Sequence, residues 1–219
     1  MSKVIIFGTK DFAQLANYYL ENDSDHKVEA FCASPEYLNG MAEFENKPLI
    51  SLDSIEKMYP PGEFRIFAPM SPKGMNKPRA EIYQEVKKKG YTFISYISSK
   101  ATVLSNDIGE NCFILEGNVI QPYVKIDNNV ILWSGNHIGH HGFIGDHVFF
   151  ASQVVMSGHC QIEPYCYLGV NSAIKDGVKL AEGTLVGMGS IVLEDTDAWG
   201  TYVGSPARKL LKPSNEANI

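Results

Sequence analysis

The sequence predicts two architectures in tandem: an α/β domain of Rossmann-like type over residues 1–97, then a hexapeptide-repeat parallel β-helix over residues 98–208, with a tail at 209–219. Three observations carry this expectation. Strand-like and helix-like stretches alternate up to about residue 97, the pattern of a parallel sheet with crossover helices. From Asp107 to Thr196 the chain then keeps a six-residue period without an insertion. Glycine and polar residues fill much of the third to fifth places of that period, where a repeat of short strands must turn its corners.

In the first half, "KVIIF" is a β-rich run ending at Gly8. "DFAQLANYYLEN" follows, with Phe12, Leu15, Ala16, Tyr19 and Leu20 on one helical face. "KVEAFC", "FRIFAPM" and "YTFISYI" are three further strand candidates. "SLDSIEKMYP" opens with a Ser/Asp helix-start signal, and "RAEIYQEVKKKG" closes with lysines and a glycine, as a helix C-terminus does.

In the second half the hexapeptides run DIGENC, FILEGN, VIQPYV and onward to IVLEDT. The second place is apolar in every one, from Ile108 to Val192, and the sixth is nearly always small or β-branched. Neighbouring coils of a β-helix bury such columns against one another. Cys112, Cys160 and Cys166 all fall in the sixth column, so they read as small buried hydrophobes, not nucleophiles.

Composition narrows the function classes. A net charge of -6, with no basic run interleaved with aromatics, argues against nucleic acid as a main partner. No apolar run approaches a membrane span, and the start lacks the features of a signal peptide. Four cysteines without a CxxC pair fit a reducing compartment, so the expected location is the cytoplasm.

A repeat of this kind ending in "YVGSPARKL", behind a small α/β domain beginning "VIIFGTKDFAQ", resembles the left-handed β-helix acyltransferases, and within them the NeuD/PglD-like sugar acetyltransferases. The resemblance covers nearly the whole chain. It implies a homotrimer, with acetyl-CoA as co-substrate in the groove between neighbouring β-helices and no metal. The acceptor it implies is a nucleotide-activated amino sugar bound by the N-terminal domain. The family's base motif, His-Glu-x-x-Ile-Gly-Glu/Asp, matches His140-His141-Gly142-Phe143-Ile144-Gly145-Asp146. His140 then falls on the general base, and His141 stands where glutamate is common. At the nucleotide turn Phe12 replaces a histidine, and Ser34 occupies a place where an acidic residue is common.

The implied three-sided helix stacks positions eighteen apart. His141 is then followed by His159 on one corner, about 4.8 Å away along the strand spacing, and His140 by Gly158. Gly158 leaves room for a thioester beside the base, and its backbone amide is the candidate oxyanion donor. The expected catalytic residues are His140 and His141. Expected substrate contacts are Gly8, Thr9, Lys10, Ser34, Asn136 and His137, with Lys10 adding charge for phosphate. Expected acetyl-CoA contacts are Phe149, Gly158, His159, Val170 and Met188. His147 reads as structural, and His26 as a surface residue in a polar loop. The expected reaction is acetyl transfer to a sugar amine, at C4, for surface-glycan synthesis. Alternatives are sugar O-acetylation, a zinc site of the γ-carbonic anhydrase type built from His137, His140, His141 and His159, and a non-catalytic scaffold.

Overall fold

The computed structural model describes residues 2–219. The N-terminal elements are β1 (Lys3–Phe7), α1 (Asp11–Asn22), β2 (Lys27–Ala33), β3 (Glu43–Phe44), β4 (Lys47–Ser51), α2 (Ile55–Met58), β5 (Phe64–Phe67) and α3 (Lys77–Lys88). They form one sheet in the order β3-β4-β2-β1-β5, parallel except for the edge strand β3. β1 is buried on both faces, which is why it reads as an unbroken apolar run and not an alternation. Gly8 ends β1 at φ +121° and donates its N–H to the Cys32 carbonyl at the end of β2. That conformation needs glycine, and it releases the chain directly into α1. α1 then buries Ala13, Ala16 and Leu20.

Two features of this domain differ from the sequence expectation. "YTFISYI" adds no strand to the sheet. Phe93 makes only a bridge to Ile66, and Tyr96–Ile97 already belongs to the β-helix, paired with Phe113–Ile114. Its apolar residues are needed because the segment hands the chain from one core to the other: Tyr91 and Phe93 pack with Ile5 and Ile66, Ile94 and Tyr96 with Phe113. The β3–β4 hairpin has no counterpart in the expectation. Its strands are short and contain Pro48, and its turn, Glu45-Asn46, takes positive φ at both residues.

The repeat folds into three parallel sheets of two-residue strands, an arrangement that fits a left-handed β-helix. Register is eighteen residues throughout the middle coils: Val119 pairs with His137, His137 with Val155, Val155 with Ala173, and Ala173 with Ile191. The second-place column, from Ile114 to Val192, is a single buried core. The fifth place of every hexapeptide from Asn111 to Gly189 has positive φ. Glycine, asparagine and histidine tolerate that region better than most residues, which accounts for the Gly, Asn and His found there. Cys112, Cys160 and Cys166 are fully buried, and desolvation pushes all three thiols up, Cys112 to about 11 and Cys166 to about 12. They are inert, and an acyl-cysteine route has no nucleophile. The chain closes the last coil with Thr201–Val203 antiparallel to Arg208–Lys209, and buried Ser214 donates to the Gly183 carbonyl. Ser214 is the one buried residue of 209–219, and the last strand, Arg208–Lys209, crosses the expected boundary at 208.

The three faces differ. One, carrying Phe113, Ile131, Phe149 and Tyr167 outward, is covered by the N-terminal domain; α1 lies on it, with Phe12 edge-on to Trp133 and Tyr19 against Tyr96 and Phe113. A second carries Asp107, Lys125, Phe143, Gln161 and Lys179. The third, with Val119, His137, Val155, Ala173 and Ile191 outward, is open, and Val155 and Ile191 are exposed.

α3 locks the domains together along the corner at Asn129 and His147. Arg79, with no exposed surface, donates to the carbonyls of Asn129, His147 and Val148 and to the side-chain oxygens of Asn129 and Asn76. Burial pushes its guanidinium down to about 9, still charged at neutral pH. Breaking a buried charge network of this kind costs about 3–5 kcal/mol, because the remaining groups are left unpaired. Below it, Asn111 donates to Asn129 at 2.8 Å and Asn129 donates to His147 Nδ1 at 2.8 Å. Burial, then the Arg79 charge, lowers the His147 imidazole to about 4 from the usual 6.5. An unfolded His147 takes up a proton below about 6.5 while the folded one stays neutral down to about 4. Stability from this group is therefore whole above the upper value and is lost as pH falls through that window. Urea midpoints measured from pH 7 to pH 4.5 should fall, and the gap between wild type and His147→Gln should narrow toward the acid end.

Candidate active site at the histidine corner

The corner between the open and the charged faces carries Pro122, His140, Gly158 and Asp176 in its fourth-place column, and Tyr123, His141 and His159 in its fifth. Gly139 lets the coils close up here: a β-carbon on it would lie 2.5 Å from the Gly158 nitrogen. The His140 backbone N–H donates to Gln121 Oε1 at 2.9 Å, which fixes the coil immediately before the ring. All three imidazoles are exposed.

The rings are ordered relative to one another. His141 stacks on His159, with centroids 5.0 Å apart and planes 17° off parallel, and on Tyr123 at 4.7 Å. This follows from the register, since residues 123, 141 and 159 share one left-handed corner. His140 stands edge-on to both histidines, and its Nδ1 lies 3.1 Å from His141 Nδ1. One of those two nitrogens carries the hydrogen. If His140 Nδ1–H donates, His140 Nε2 keeps its lone pair free, and His141 does the orienting that a carboxylate does in other histidine bases.

On the Nε2 side, a β-carbon at Gly158 would lie 2.8 Å from His140 Cε1, 3.0 Å from His140 Nε2 and 3.0 Å from an Asp176 carboxylate oxygen, so only glycine fits between the two side chains. Glycine thus keeps the imidazole and the carboxylate in view of each other, with no side chain between them. The Gly158 N–H makes no hydrogen bond among the described residues, although Gly158 is buried and its carbonyl accepts from Gly177. A free amide beside a free imidazole nitrogen is what an acyl transfer site requires.

The ligand atoms of His140, His141 and His159 lie within 4.8 Å of one another. They do not form a metal-binding arrangement as they stand. Lone pairs lie in the ring planes, and near-parallel stacked rings cannot point both at one ion.

Of the expected site residues, His140, His141, Gly158 and His159 come together at this corner. His137 is half-buried on the open face, three residues before it. Val170 and Met188 stack at the opposite edge of the open face, 42% and 79% exposed. Two expectations fail on geometry. Asn136 is buried, and its amide is spent on the Trp133 carbonyl and the Val154 N–H, so it has nothing to offer a substrate. Phe149 is 3% exposed and packs between Phe12 and Tyr167 in the domain interface, away from the open face. Gly8, Thr9, Lys10 and Ser34 sit at the C-terminal ends of β1 and β2, where Lys10 Nζ lies 5.7 Å over the Tyr37 ring. Phe12, where the resemblance implies a histidine, serves the domain interface. Asp176 and Gln121 were not expected; Asp176 is legible as two coils on from His140.

No family model matches the chain. Among solved structures it is similar to a histidine-to-asparagine variant of perosamine N-acetyltransferase from Caulobacter crescentus in complex with CoA and GDP-perosamine, with a TM-score of 0.83, 18% identity, and 97% of this chain and 98% of that one covered. It is similar to the acetyltransferase domain of PglB from Neisseria gonorrhoeae in complex with acetyl coenzyme A, at 0.80, 19%, 95% and 98%, and to WeeI from Acinetobacter baumannii, at 0.79, 24%, 96% and 100%. The chain shares their fold. Curated relatives are acyl-[acyl-carrier-protein]–UDP-N-acetylglucosamine O-acyltransferases. That of Sinorhizobium fredii is 26% identical over 106 residues, 45% of this chain and 39% of that protein. That of Helicobacter pylori is 30% identical over 107 residues, 46% and 40%. The chain thus matches about two fifths of the length of these relatives.

The tautomer assignment is open to a direct check. Long-range proton–nitrogen NMR should find the hydrogen on Nδ1 of His140 and on Nε2 of His141, and His141→Phe should release His140 to a mixture of tautomers.

Proposed function

We propose that this chain transfers acetyl from acetyl-CoA to an amino group, at C4, of a nucleotide-linked deoxy sugar, in the cytoplasm, for surface-glycan synthesis. The observation that carries the reading is the histidine corner: an exposed imidazole whose Nδ1 lies 3.1 Å from His141 Nδ1, beside a glycine whose backbone N–H is unpaired among the described residues. The structural relatives support the substrate classes, since they are complexes with CoA and GDP-perosamine and with acetyl coenzyme A.

In this reading the amine attacks the thioester carbonyl and His140 Nε2 receives the proton the nitrogen must lose. The Gly158 N–H meets the developing oxyanion; a donor in that role is worth about 10²–10³ in rate. His141 orients His140, and His159 braces His141 by stacking. At the other end, we read the parallel sheet as Rossmann-like; its strand order reverses between β1 and β5, and ligands of such sheets bind outside the C-terminal strand ends at the reversal. Gly8, Thr9, Lys10 and Ser34 are there, with Lys10 for the phosphates.

Within one chain these two ends are on opposite sides of the β-helix, because the N-terminal domain covers the face opposite the His140 corner. A complete site therefore takes two copies. The open face supports a cyclic trimer, with His137, Val155 and Ile191 between the His140 corner and the Val170–Met188 corner that would flank the acetyl-CoA groove. O-acylation is the second reading, favoured by the curated relatives.

His140→Ala should lower CoA release with a nucleotide-linked amino sugar by about 10²–10⁴, the usual worth of a positioned base. Its melting temperature and oligomer size should be unchanged. Near-normal turnover would remove His140 from the mechanism.

A further inference from the structure

We propose that Asp176 is the residue that selects an amine over a hydroxyl as the acyl acceptor, by holding the incoming amine as its ammonium ion over Gly158. The inference rests on the acyltransfer reading and deepens it. Its basis is the placement of two groups on either side of Gly158, with no side chain between them. His140 Nε2 and an Asp176 carboxylate oxygen are each 3.0 Å from where a β-carbon of Gly158 would be, so they face one another across no more than about 6 Å. Both groups are exposed, so an acceptor nitrogen that approaches from solvent over Gly158 can hydrogen-bond to both.

The chemistry of the two walls fits an ammonium and does not fit a hydroxyl. An ammonium nitrogen offers three hydrogens, so it can bond the carboxylate and the imidazole nitrogen at once. A hydroxyl has one hydrogen and must choose. If it gives that hydrogen to the carboxylate, the imidazole has no proton to accept; if it gives it to the imidazole, the growing negative charge on oxygen faces the carboxylate. The register explains how the pair arises. Asp176 is two coils on from His140 in the same column, and only because the intervening residue is glycine do the two side chains see each other. Lys175, one residue earlier, is exposed, and among the described residues no ion pair ties Asp176 to a cation.

The step balances as follows. The acceptor enters as R–NH₃⁺, paired with Asp176. One N–H proton passes to His140 Nε2, and the nitrogen lone pair so freed forms the C–N bond to the thioester carbon. As the tetrahedral adduct collapses, the C–S bond breaks and its electron pair leaves on sulfur. The nitrogen gives its second proton to that thiolate, yielding the amide and CoA thiol. His140 then returns its proton to water. Asp176 begins and ends as a carboxylate.

The test compares wild type, Asp176→Asn and Asp176→Glu on two acceptors that differ only at the reacting position, a nucleotide-linked 4-amino sugar and its 4-hydroxyl counterpart. Binding of each is measured by calorimetry without acetyl-CoA, and turnover by CoA release. The expected result is that Asp176→Asn, which keeps the shape and loses the charge, weakens amine binding and raises its KM at least tenfold. The KM for acetyl-CoA and the melting temperature should stay put, and the preference for amine over hydroxyl should collapse, with Asp176→Glu recovering part of it. An Asp176→Asn enzyme whose amine-to-hydroxyl preference stays within twofold of wild type overturns the assignment. Wild-type protein that acylates neither acceptor overturns the underlying reading instead, so the two failures are distinguishable.

Discussion

Eighteen residues carry the backbone once around the β-helix and lift it by one strand spacing, and the placement of each group at the histidine corner follows from that count. It sets Tyr123, His141 and His159 in one stack and His140, Gly158 and Asp176 in one column. An insertion of one residue between Gln121 and Asp176 would turn inward-facing isoleucines outward and dissolve the column at the same time. Core and site therefore share a constraint. The apolar second place, buried from Ile114 to Val192, holds the register, and the register holds the chemistry.

The fifth place adds a second condition. It is left-handed at every coil, so what stands there must tolerate positive φ. At one corner the solution is Asn111, Asn129 and His147, which turn their polar ends toward each other and toward Arg79 and join the two domains. At another the same backbone presents His141 and His159 to solvent. Identical local geometry yields an interface in one place and a reactive surface in the other. What separates them is burial by the N-terminal domain.

That distinction also marks what the sequence could and could not reveal. The six-residue period states which side chains point inward, so the core column and the inert cysteines were legible; the pairing of His141 with His159 needed the three-sided coil that the resemblance implies. The period does not state which of three outward faces another domain will cover. Phe149 and Val155 occupy the same place in their hexapeptides, yet one is buried against Phe12 and the other is exposed. The burial of Asn136, by contrast, was legible, because it stands in the inward sixth place of its hexapeptide with Cys112 and Cys160. The run "YTFISYI" was ambiguous because it feeds two cores. Asp176 was within reach of the arithmetic that found Gly158, one coil further along.

The account depends most on the claim that a site needs two copies, with the nucleotide crevice of one chain facing His140 of another. Mixed assemblies test this directly. One chain would carry His140→Ala and the other a blocked crevice, Thr9→Glu with Lys10→Glu, each inactive alone, combined in equal amounts before assembly. In a cyclic oligomer that mixes at random, about a quarter of the sites pair an intact crevice with an intact His140, so about a quarter of wild-type activity should return. Mixtures as inactive as their parents, with mixed oligomers demonstrated by mass, would place both halves of the site in one chain and contradict the account.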